Sequence, residues 1–307
     1  MELVKKKKTK MNRNKITDMI FYICLIAFPL IQFSIFYIGV NGNSFLMAFQ
    51  DYSGDTPKFI GFDNFTRLFH DLKSLPVFKY AIRNSFIAYV VGLVFGMGSG
   101  LAFSYYIYKK MPMGNLFKVV LFAPSVISAM IIVILYSYFV NDYIPAVLQN
   151  IFGKNILGFL TNKETRFATV LIYNVIFGFG GSMLMYLSAM NNISTSIIEA
   201  AQMDGVGPFR EFFQIILPQV FSTISVFLIT GLAGIFTNQI ALFSFFGLNN
   251  EPRYYTIGYY LYYKVKTLMS YSEYPYLSAL GMVITTITLP IVLFFRWLFN
   301  RIDPMND

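Results

Sequence analysis

Two rows of small and amide side chains are the first residues in this chain that could handle a ligand. Thr230, Gly231, Gly234, Thr237 and Asn238 fall at i, i+1, i+4, i+7 and i+8, so a helix would present them on one face. Asn174, Gly178, Gly181 and Ser182 repeat the device earlier, with Phe177 beside them. Such a face either packs helices closely or lines a polar cavity. Asn174 and Asn238 point to the cavity, because a buried amide must find partners and hydroxyls such as those of a sugar suit its paired donor and acceptor. Catalysis finds no comparable foothold. The chain has one histidine, His70, and one cysteine, Cys24, too few for a zinc site built on those ligands. No pair of carboxylates lies within an apolar run, and no G-x-x-x-x-G-K-[ST] phosphate loop occurs, so the chain itself is expected to bind no ATP.

The elements that must carry these rows are membrane helices. Of 307 residues, 56% are hydrophobic, 19% aromatic and only 13% charged, against about 25% charged in a soluble domain. Since about 20 apolar residues cross a hydrocarbon core, six uncharged runs read as spans: about 19–40, 84–108, 119–140, 167–190, 219–242 and 276–295. The first exceeds a signal-peptide core and is expected to be retained. An all-α polytopic membrane protein with six transmembrane helices follows, its transmembrane domain covering 19–300 behind a basic tail at 1–18. Lys5, Lys6, Lys7, Lys8, Lys10, Arg13 and Lys15 place that tail in the cytoplasm. An even number of spans brings the C-terminus to the same side. The formal charge of +9 rests largely on the tail, which suits membrane lipid; no nucleic acid partner is expected. On the second run Gly92, Gly96 and Gly100 form tandem G-x-x-x-G, read as a face for close contact with another helix, of this chain or of a partner.

Charge returns between the fourth and fifth spans. Glu199, Asp204, Arg210 and Glu211 crowd residues 191–218, and each would cost about 2.5–3.5 kcal/mol at the bilayer centre. The segment therefore lies in water or against protein, on the cytoplasmic side. Ile197, Ile198 and Ala201 share one side of a short helix, Gly205 and Gly207-Pro208 interrupt it, and Leu217-Pro218 leads into the next span. Such a helix is either a plug for a protein socket or an interfacial helix on lipid.

The residue pattern decides between them. Glu199-Ala200-Ala201, Asp204-Gly205 and Ile215 with Leu217-Pro218 resemble the EAA loop of ABC importer permeases, E-A-A, two residues, D-G, then I-x-L-P. The likeness is closest to binding-protein-dependent sugar permeases of the maltose-permease type. Phe59-Ile60-Gly61-Phe62-Asp63-Asn64-Phe65 is similar to their F-x-G-x-x-N-[FY] element, Arg83-Asn84-Ser85 to the start of their second span, and Phe122-Ala123-Pro124 with Ser128 to their third. Where the family places Ile-Pro before the Glu, this chain has Ile193-Ser194-Thr195-Ser196.

The resemblance implies a type I ABC importer permease fold and no enzymatic activity. It implies a subunit of the bacterial cell membrane that forms a carbohydrate path with a second homologous permease and sits on an ABC ATPase dimer. That dimer would bind the ATP and Mg, and an extracellular solute-binding protein would deliver substrate to the outer loops Asn141–Arg166 and Gly247–Glu273. It also implies roles within the loop: Glu199 hydrogen-bonds at the socket, Ala200 and Ala201 permit close approach, and Gly205 makes the turn. Phe209 and Phe213, one helical turn apart, would anchor the loop against its own transmembrane domain. Other readings of the composition are an importer permease for a non-sugar solute and an ion-coupled carrier. The carrier would normally need ionisable side chains at the membrane midplane, and the six runs have none in their interiors.

Overall fold

A computed structural model describes residues 2–304 apart from 55, 154, 155 and 269, with side chains from residue 17 onward. The basic tail expected over 1–18 thus lies, through residue 16, outside the described side chains. In chain order the helices are α1 (Thr17–Met47), α2 (Asp63–Ser74), α3 (Pro76–Tyr108), α4 (Gly114–Val126), α5 (Ala129–Phe152) and α6 (Arg166–Asn191). There follow α7 (Thr195–Met203), α8 (Pro208–Gln219), α9 (Phe221–Gly234), α10 (Leu242–Phe246), α11 (Ile257–Thr267) and α12 (Tyr271–Ile302). Among the described residues five of these are long and apolar enough to cross a membrane, and α8 with α9, bent by 72° at Val220, makes a sixth if counted as one span. A two-residue antiparallel pair, Gln50–Asp51 with Lys58–Phe59, follows α1.

The chain divides into two compact units. The smaller contains residues 1–68 and 269–282. Here Asn64, of the F-x-G-x-x-N stretch, donates both amide hydrogens, to the carbonyls of Ala48 (3.0 Å) and Gln50 (2.9 Å). One side chain thereby satisfies carbonyls that the end of α1 leaves open. Arg67 pairs with Glu273 at 3.1 Å and lies over the Tyr276 ring, tying α2 to the start of α12.

The larger unit, residues 69–268 and 283–307, holds the remaining apolar helices. Pro76 opens α3 at its first turn, after an extended Leu75, where its missing N–H costs nothing. The third apolar run is not one continuous span. Ile127 and Ser128 are extended and separate α4 from α5, and the Ser128 carbonyl then receives the first N–H groups of α5. Pro124 supplies a reason, since its nitrogen cannot bond back into the last turn of α4. The fifth run also ends early. Its helix stops at Gly234, and Ile240 and Ala241 take left-handed φ values of 47° and 60° before α10. Thr237 and Asn238 therefore sit in a turn beyond the helix, not on the continuous face their spacing suggested.

Two packing features position the site. Met190, Ile193, Ile198, Ile216 and Val220 form a buried cluster with Tyr186 and Ile224, so the segment 191–218 shares one core with α6 and α9. Arg166 is the other. Its guanidinium lies over the Phe246 and Tyr254 rings and reaches Glu251 at 3.4 Å, while its Nε donates to the Leu160 carbonyl at 2.7 Å. This joins the two segments expected to form the outer face.

Candidate functional site

A cavity of about 550 Å³ opens between α3, α6, α9 and the turn after α9. Asn174, Gly178, Ser182, Thr230, Gly231, Gly234 and Asn238 line it together, although they come from distant parts of the chain. Phe177, Gly181 and Thr237, expected with them, do not. Phe177 packs against Tyr136 and Tyr173 at ring separations of 5.9 and 5.1 Å, and the Thr237 carbonyl faces Gly258 instead.

Within this chain the glycine row of α3 divides in two. Gly100 does pack, since a β-carbon there would meet Tyr186 at 3.4 Å, but Gly92 and Gly96 meet no other atom within 4 Å and line the cavity along with Ser85, Ala88, Tyr89 and Leu93. Within this chain they open space and do not close a helix contact. The same stretch, Gly92–Met97, forms a wide π-type turn inside α3.

The two amides are partly committed. Asn174 donates to the carbonyls of Val170 (2.8 Å) and Ile240 (3.0 Å), which leaves its own carbonyl oxygen to offer a hydroxyl. Asn238 accepts the Ile240 N–H at 2.8 Å, so its NH2 group is the part that faces a ligand's oxygen. None of the lining residues is an acid, a base or a histidine.

A knot of hydrogen bonds holds this rim, and of its members only Asn84 and Ser85 were singled out in the sequence by likeness. Asn84, 1% exposed, donates to the carbonyls of Arg253 (2.9 Å) and Tyr255 (3.0 Å). Ser85 accepts the Ile257 N–H at 3.0 Å. Thr256, fully buried, caps α11 by accepting the Tyr259 N–H and donates to the Asn238 carbonyl at 3.0 Å. Burial, with neighbouring Tyr263 adding to it, pushes the Tyr259 hydroxyl up to about 12, so it stays protonated and donates to the Gly247 carbonyl at 2.8 Å.

The segment after α6 shows its other side. Ile198 and Ala201 of α7 are buried, Glu199, Ala200 and Asp204 are exposed, and Gly205 makes the turn with φ +69°. Thus Ala201 packs inward, and Ala200 is the alanine left for close approach. Phe209 and Phe213 do not anchor the loop: they are 83% and 60% exposed, and Met203 is 88% exposed. Phe212 takes the anchoring role, against the Tyr105 ring at 4.9 Å. Glu211, 3% exposed, binds Lys109 Nζ through both carboxylate oxygens at 2.9 and 3.0 Å, and the Tyr105 hydroxyl donates to the Pro208 carbonyl at 3.1 Å. Nothing local in the sequence pairs residues 102 positions apart.

Residues 90–305 match the family described as binding-protein-dependent transport system inner membrane component. The chain belongs to this family. The permease is therefore an integral membrane transport component and not an enzyme. It is 29% identical over 293 residues to the probable ABC transporter permease protein YurN of Bacillus subtilis, covering 92% of this chain and 95% of that protein. It is 24% identical over 288 residues to the diacetylchitobiose uptake system permease protein NgcF of Streptomyces coelicolor, covering 88% and 79%. Among solved structures it superposes, with a TM-score of 0.76 and 24% identity, on a chain of the bacterial alginate ABC transporter in complex with an alginate pentasaccharide-bound periplasmic protein, covering 95% of this permease and 98% of that chain. The all-α architecture is thus the type I importer permease fold that the loop motif implied.

Proposed function

We propose that the permease lines half of an import path for an uncharged carbohydrate and is driven by a separate ATPase dimer that docks on residues 191–218. A second homologous permease completes the path, a solute-binding protein presents substrate at the outer loops, and both termini face the cytoplasm. ATP and Mg belong to the ATPase, since this chain has no phosphate loop to hold them. One observation carries the reading of the loop: the segment buries Ile198, Ala201 and Ile216 in its own core while displaying Met203 and Phe209 outward. Large apolar side chains adjoining exposed Glu199 and Asp204 suit a protein socket better than an anionic lipid surface. The relative named for diacetylchitobiose uptake supports a carbohydrate, as does a cavity lined by amides, hydroxyls and aromatic rings without charge.

The docking face is tested by changing Met203 and Phe209 together to serine. Both are solvent-exposed in this chain, so thermal unfolding in detergent should stay within about 0.5 kcal/mol of wild type. Co-purification of the ATPase with the solubilised complex should be lost. Retention of the ATPase at wild-type level would remove the loop from its assigned role.

The path is tested at Thr230. Valine keeps the shape and removes the hydroxyl, and a hydrogen bond of about 0.5–1.5 kcal/mol corresponds to a roughly two- to tenfold rise in the uptake KM. ATPase docking should be unchanged. An unaltered KM would mean that this face of α9 does not meet the solute.

A further inference from the structure

α3 is held at both ends and is irregular between them. Near its outer end Asn84 and Ser85 are bonded to the backbone of residues 253–257. At the other end Lys109, the residue that closes the helix, grips Glu211 with two short charge-assisted hydrogen bonds. Between these points lies the wide turn Gly92–Met97, whose glycines face the cavity with open space around them. A wide turn is a place where a helix has room to bend.

The ion pair is an odd choice for stability alone. Removing a carboxylate and an ammonium from water is costly, and apolar side chains of similar volume often serve at least as well. What the pair supplies is direction. Apolar contacts such as Ile198 against the loop's core can slide, whereas a doubly bonded carboxylate fixes the distance between two backbones. Glu211 also faces inward, away from the exposed Met203 and Phe209, so it is not part of the docking face.

We infer that the Lys109–Glu211 pair is a positioning latch that makes the inner end of α3 follow the loop, the bend being taken up at Gly92–Met97 so that loop displacement reshapes the cavity wall. This rests on the reading of residues 191–218 as the ATPase-docking loop. Loss of the latch should leave the ATPase bound yet reduce the solute moved by each ATP hydrolysed.

The test uses the complete importer in proteoliposomes, with E211Q and the exchanged pair K109E/E211K. Two quantities are read: ATPase co-purification and solute transported per ATP. E211Q should keep the ATPase while solute per ATP falls at least about fivefold, the lower end of what a coupling contact is worth. The exchanged pair should recover at least half of the ratio, which a general folding defect would not allow. A wild-type ratio in E211Q overturns the latch, and so does an exchanged pair that recovers nothing. Release of the ATPase by E211Q also overturns it, since the pair would then serve docking. A wild-type complex that never holds an ATPase instead overturns the underlying reading of the loop, and the latch with it.

Discussion

Asn84→Leu is expected to destabilise the permease by about 1.5–4.5 kcal/mol, because it strips a hydrogen bond from the buried Tyr255 carbonyl, at about 1–3 kcal/mol, and one from the part-buried Arg253 carbonyl, at about 0.5–1.5 kcal/mol. The side chain is 1% exposed and donates to both Arg253 and Tyr255, so no water replaces it without rearrangement. Leucine is close in volume, which separates the lost bonds from a lost packing contact. Thermal unfolding of the purified protein in detergent gives the answer, with Ile82→Ala, an exposed neighbour on the same helix, as the variant that should change it least. Wild-type melting of Asn84→Leu would mean that the knot around residues 253–257 contributes little to stability.

The second large effect is expected at Gly258. A β-carbon there would collide with the Thr237 carbonyl oxygen and stand 2.8 Å from that of Asn238. Both are backbone atoms and neither can rotate aside. Gly258→Ala should cost about 1–3 kcal/mol or more through overpacking. It should also move the turn that carries Asn238 into the cavity, so most solute uptake should disappear along with the stability. Gly98→Ala is the comparison, since a methyl group there meets open space within the chain. Equal uptake by the two variants would show that the turn tolerates displacement and that Asn238 has no fixed task.

How much of this could be read beforehand depends on whether a residue acts through its neighbours in sequence or through distant ones. The break at Gly205 was legible because a positive φ is a property of one residue, and Gly207-Pro208 announces a new helix start. Helical spacing grouped Ile197, Ile198 and Ala201, of which Ile198 and Ala201 face inward and Ile197 is exposed. The cavity rows on α6 and α9 were visible for the same reason, though only in part: Phe177 and Gly181 lie on α6 and miss the cavity, while Asn238 reaches it from beyond the end of α9. Thr237 was lost from its row because the helix stops at Gly234, and nothing in the residues before it marks that stop. Spacing put Gly92 and Gly96 on one face without showing what that face meets, and within this chain it lines the cavity. Phe209 and Phe213 were expected to anchor the loop because the resemblance implies it and they stand one helical turn apart, yet both face outward in this chain and Phe212 packs against Tyr105 instead. Lys109 with Glu211, and Asn84 with residues 253–257, were beyond reach altogether. Their partners lie 102 and about 170 positions away, and no local pattern encodes such a meeting.

The uncharged lining of the cavity has an electrical consequence. Moving one elementary charge across a membrane costs or yields about 2.3 kcal/mol per 100 mV. A wall without acids, bases or histidine carries no such charge as it shifts, and a neutral cargo adds none. For the uncharged carbohydrate proposed above, this wall therefore adds no voltage-dependent step of its own.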